Sequence, residues 1–179
     1  MRTYPEAYLL YLAHFHGDRD WFECHELLEE YWKSKPADGY SRTWVGLIQI
    51  AVGLYHERRG NRSGAVKMLQ ASLGNLRREA LAELGLDADE TIRRVQTRLY
   101  EVESGTPAEF RDMNLPISDA GLLHQCIGLC DRLGMTWEAP SRLEDPELIH
   151  RHTRRDRTDV IEARRTEAER RRRQRGDDR

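Results

Sequence analysis

The sequence predicts an all-α protein: an antiparallel helical bundle of about five to six helices with a charged C-terminal extension. Three observations carry that expectation. Apolar residues recur at helical three-four spacing along most of the first 135 residues. Helix caps and breakers fall between those stretches. No alternating pattern of useful length suggests a strand. Short connections between long helices favour hairpins for the first four.

Pro5 suits a helix start, where its missing N–H costs little. Tyr8, Leu9, Leu12 and Phe15 then form an apolar stripe to His16, and Gly17 fits the position after a helix end. Asp20, with Glu23 three residues on, resembles a capping box for a second helix to about Ser34, with Trp21, His25, Leu28 and Trp32 expected toward the core. Pro36, Asp38 and Gly39 make a loop. A third helix runs from about Ser41 to Arg59 with Trp44, Leu47, Ile48, Ala51, Leu54 and Tyr55 on its apolar face. Gly60-Asn61 turns into a fourth, from about Ser63 to Leu84. A fifth from Glu90 to Glu103 is given Asp89 as its cap. An irregular connection spans 104–116, and a sixth helix capped by Ser118 or Asp119 ends near Leu133. The expected division is a helical domain at 1–135, with its core at 5–84, followed by a linker and an Arg-rich helical or disordered tail at 136–179.

Gly46 and Gly53 lie seven residues apart inside the third helix, and Gly64 and Ala71 share that spacing on the fourth. Interior glycine costs about 1 kcal/mol against alanine. Its presence at heptad spacing therefore predicts a close helix-on-helix approach.

The chain has 179 residues and a formal net charge of −2. That balance hides an acidic body and a basic end, since residues 151–179 hold 12 Arg and 7 acidic residues. Basic residues at 164–175 could hold a nucleic-acid backbone, but glutamates interleave with them and no aromatic is available for stacking. A solvated extension is the better reading. No apolar run approaches the roughly 20 residues of a membrane helix, and no signal peptide is evident. Three cysteines without framework spacing suit reduced thiols, so the expected compartment is the cytoplasm. Cys126 and Cys130 read as buried thiols, and Cys24 points away from His25 on the helix.

The densest chemistry is His25-Glu26-Leu27-Leu28-Glu29 together with Gln49 and His56. A His and a Glu four apart on a helix can share a metal ion or bond each other. His25, Glu29 and His56 suit a divalent metal such as zinc, iron or manganese, or general acid–base work. The competing interpretation is a satisfied polar network that fixes helix packing. The segment lacks the second histidine of the HExxH pattern, and a di-iron carboxylate set cannot be assembled.

Phe15-His16-Gly17-Asp18, Cys24-His25-Glu26-Leu27-Leu28-Glu29-Glu30-Tyr31-Trp32, Gly46-Leu47-Ile48-Gln49-Ile50-Ala51 with His56, and Gly60-Asn61-Arg62-Ser63-Gly64-Ala65 together resemble the domain-of-unknown-function 309 family. The resemblance covers about residues 5–80, with His16 where Asn is usual and Cys24 where Ala is usual. It implies a compact all-α domain and no particular activity. By carry-over its marked residues are His25, Glu26, Glu29, Trp32, Gln49, His56 and Asn61. The function expected is a binding or scaffold module with a buried His/Glu/Gln cluster. The alternatives are a metal-dependent or acid–base enzyme at His25, Glu29 and His56, and nucleic-acid association through the tail. Partners stay open, a homodimer among them.

Overall fold

The computed structural model describes residues 2–35, 38–106 and 109–154. The described residues contain helices and no named strand, with one isolated bridge between Leu86 and Ile117. The chain divides into two compact units, Met1–Ile149 and a second beginning at His150. The first carries α1 (Glu6–His16), α2 (Trp21–Ser34), α3 (Ser41–Arg58), α4 (Arg62–Asn75), α5 (Arg78–Glu83), α6 (Ala88–Ser104), α7 (Ala120–Arg132) and the short α8 (Pro146–Ile149). The second shows α9 (Arg151–Arg154). The arginines at 164–175 lie outside the described residues.

Capping explains most of the boundaries. Asp20 accepts from the backbone N–H of Glu23, as the sequence predicts, and Asp119 accepts from that of Leu122. Asn61 does the same for Gly64 and starts α4. The cap of α6 is Asp87 rather than Asp89: its carboxylate takes the N–H of Glu90, and the helix begins at Ala88 rather than Glu90.

Helices α1, α2, α3 and α4 pack in sequence, each against the next. Phe15 meets Trp21 and Cys24 Sγ reaches the Tyr11 carbonyl, so α1 and α2 run oppositely. Tyr31 meets Trp44 and Phe22 meets Tyr55, which fixes the α2–α3 register. The glycine expectation is met at the next interface. A Cβ added at Gly46 would sit 2.8 Å from Leu76 Cδ2, and one at Gly53 would sit 2.9 Å from Leu69 Cγ. The two helices approach closely enough that only a hydrogen fits.

That interface also breaks the single long helix expected at 63–84. Leu76 adopts an extended conformation and fills the space over Gly46, so α4 stops at Asn75 and α5 restarts at Arg78. The buried stripe of α2 differs too. Trp21, Cys24 and Leu28 are buried, whereas the His25 side chain is 27 % exposed. Cys24, rather than His25, joins the buried face of α2, its Sγ against the Tyr11 carbonyl of α1.

Residues 112–115 and 137–148 form a strap held by side chains from α1, the α1–α2 turn and α3. Trp137 stacks on His16 at 4.4 Å. Arg19, at a positive φ of 60°, donates to the carbonyls of Ala139, Phe15 and Met113 and to Asn114 Oδ1, which compensates its backbone conformation. Arg58 donates to Ser141 Oγ and the Leu148 carbonyl. No described helix is long and apolar enough to cross a membrane. All three cysteines are free and buried.

Candidate functional site

The residues marked in the sequence take three different sets of partners. On α2, His25 Nδ1 lies 3.0 Å from Glu26 Oε1, and its Nε2 lies 3.7 Å from Glu29 Oε2. Glu29 also pairs with Lys33 Nζ at 3.1 Å. On α3, the Gln49 carbonyl oxygen accepts from Asn75 Nδ2 at 2.9 Å. At the α3–α4 turn, Asn61 Nδ2 bonds His56 Nδ1 at 3.1 Å while Asn61 Oδ1 caps α4. Burial, reinforced by Arg59, pushes the His56 imidazole below its ordinary pKa. Trp32 is partly buried against the core.

Helical spacing predicts the His25–Glu29 pair correctly, since it is local. The packing of α3 on α4 gives Gln49 and His56 their partners on α4 and at the α4 cap. His25, Glu26, Glu29, Gln49 and His56 are all half-buried, so the set is not the core cluster the sequence suggested. Among the described residues no group of three or more His, Cys, Asp or Glu side chains is placed to hold a metal ion.

A different set of charges is truly buried. Arg58 and Arg98 are 8 % and 7 % exposed. Both continue apolar stripes: Arg58 follows Trp44, Leu47, Ala51 and Leu54 on α3, and Arg98 lies between Val95 and Val102 on α6. That continuation is legible in the sequence. Arg98 Nη1 reaches both oxygens of Glu57, at 3.0 and 3.3 Å, and donates to the Arg111 carbonyl at 2.7 Å. Its Nε is 3.5 Å from Glu101. Burial pushes the Glu57 carboxyl above its usual range, against the opposing pull of Arg98. Arg58 lies over the Trp21 ring, 4.4 Å from its centroid, and burial lowers its guanidinium to about 10 despite Asp112 and Asp20.

These residues line a cleft of about 300 Å³ between α3, α6 and the connection that follows α6. Its walls include Glu57, Arg58, Arg98 and Glu101, with Val102 and Phe110 as the apolar part. That volume accommodates a small molecule. Chemically the cleft offers preplaced charge of both signs beside an aromatic surface.

A helical domain with this cap-and-glycine pattern at its α2–α4 core defines a sequence class. The pattern described as "Domain of unknown function (DUF309)" matches residues 8–68. The chain is also 44 % identical over 174 residues to the uncharacterized protein YpuF of Bacillus subtilis (strain 168), covering 96 % of this chain and 99 % of that protein. The chain belongs to the DUF309 family. No solved structure matches it.

Proposed function

We propose that this protein is a cytoplasmic binding module whose site is the cleft between α3 and α6. The carrying observation is the pair of buried arginines, Arg58 and Arg98, lining an open cavity. Burying two guanidinium groups is costly unless they are paired and hydrogen-bonded. Here the fold holds them in place with α3 and α6 and leaves space beside them. The three reduced, buried thiols support the cytoplasmic assignment. The test is a thermal-shift screen of small polar solutes against the full chain and a Glu109→Trp variant. Glu109 is exposed at the cleft wall, so the variant keeps the fold and obstructs the cavity. Stabilisation by a solute in the wild type and its loss in the variant support the reading. Equal stabilisation of both proteins, or of neither, removes it.

A further inference from the structure

The cleft holds polar capacity that the fold itself leaves unspent. Arg98 is committed to Glu57, Glu101 and the Arg111 and Asp112 carbonyls. Glu101 is shared with Arg111 at 2.9 Å. The two terminal nitrogens of Arg58 are satisfied by the Arg19 carbonyl, Ser141 Oγ and the Leu148 carbonyl. Its Nε is buried with no partner among the described residues. A buried donor left unmade costs its full desolvation, so an acceptor at that nitrogen is favoured. Arg62 sits on the same wall and donates to the Glu103 carbonyl. Glu109, on the opposite side of the charge balance, is exposed and makes no hydrogen bond or ion pair with a described residue.

Charge narrows the ligand further. The wall carries the guanidinium groups of Arg58, Arg62 and Arg98 and the carboxylates of Glu57, Glu101 and Glu109. A simple anion would leave Glu109 without a partner, and a simple cation would leave the Arg58 Nε without an acceptor. A molecule bearing both charges satisfies the two spare groups at once. Val102 and Phe110 provide an apolar wall for a side chain, and Phe110 is held edge-on to Trp21 at 5.7 Å.

We propose that the cleft binds a small zwitterion of the α-amino acid class, its carboxylate taken by Arg58 Nε and Arg62 and its ammonium by Glu109. The proposal rests on the cleft being the binding site. Isothermal titration of the full chain with a panel of free α-amino acids, and with the N-acetylated and amidated forms of the best binder, tests it. The free zwitterion is expected to bind, and each blocked form to bind at least about tenfold more weakly, because each loses one charge-assisted contact. Glu109→Gln, a surface change, is expected to weaken the zwitterion about tenfold and leave the amidated form weaker still, while the N-acetylated form is unchanged. A blocked form binding as tightly as the free one overturns the zwitterion while the cleft remains a site. No binding by any amino acid overturns it too, and the solute screen then shows separately whether the cleft binds anything.

Discussion

His16 makes the stability of this protein depend on pH in a calculable way. The ring is fully buried on α1, beside Trp137. Its Nδ1 donates to the Leu12 carbonyl at 2.9 Å, and its Nε2 accepts the Leu115 N–H at 3.0 Å. Both nitrogens are therefore used by the neutral imidazole, with the tautomer set by these two partners. Burial, with Arg19 and Arg94 adding repulsion, pushes the pKa down to about 4 from 6.5. Between those values the unfolded chain holds a proton that the folded one excludes. The contribution to stability is thus fully present above pH 6.5 and is lost as the pH falls toward 4. Its full size is roughly 3 kcal/mol, and about 2 kcal/mol of it is gone by about pH 5. Urea denaturation of the wild type and His16→Asn at a series of pH values isolates the term, because the other titrating groups are common to both. Asparagine keeps an acceptor for Leu115 but does not titrate. The stability gap, wild type minus variant, should shrink by about 2 kcal/mol between about pH 7.5 and pH 5. A gap that stays constant over that range would refute the reasoning.

Three further outcomes follow from the packing. Gly53→Ala gains about 1 kcal/mol of helix propensity but drives a Cβ to 2.9 Å from Leu69 Cγ. Overpacking costs about 1–3 kcal/mol, so a net loss of about 1 kcal/mol and a lower melting temperature are expected; a higher one contradicts the close approach. Asn61→Ala removes the α4 cap and the His56 partner. It should cost about 1–2 kcal/mol by chemical denaturation, and a neutral result would mean the cap is replaced by solvent. Arg58→Met leaves the Arg19 and Leu148 carbonyls without their donor. About 2–3 kcal/mol should be lost, with faster proteolysis between Trp137 and Leu148; unchanged protection there would show that the strap is held by other contacts.

The helices were legible where local chemistry decides them. Pro5, Asp20, Asn61 and Asp119 mark starts or caps, and apolar periodicity gives the faces. The α4–α5 break was not legible, because the apolar pattern continues through it and the cause is Leu76 filling the space over Gly46, a contact across thirty residues of sequence. Gly17 follows the end of α1 as expected, in a right-handed conformation, and its missing side chain admits Cys130 of α7 and Met135 just beyond it. Among site residues, His25 with Glu29 follows from spacing on one helix. The Arg98–Glu57 pair joins positions 41 residues apart on α6 and α3, and no local pattern announces it. An arginine continuing an apolar stripe, as Arg58 and Arg98 both do, is the signal that would have found the cleft.

Mapping solutes by amide chemical-shift perturbation on the isotopically labelled full chain tests the binding site most directly. The account predicts that an amino acid zwitterion moves the signals of Glu57, Arg98, Gly105, Glu109 and Phe110, which line the cleft, and leaves those of His25, Glu26 and Glu29 in place. Perturbation centred on the α2 stripe, or no perturbation at the cleft by any stabilising solute, would contradict it.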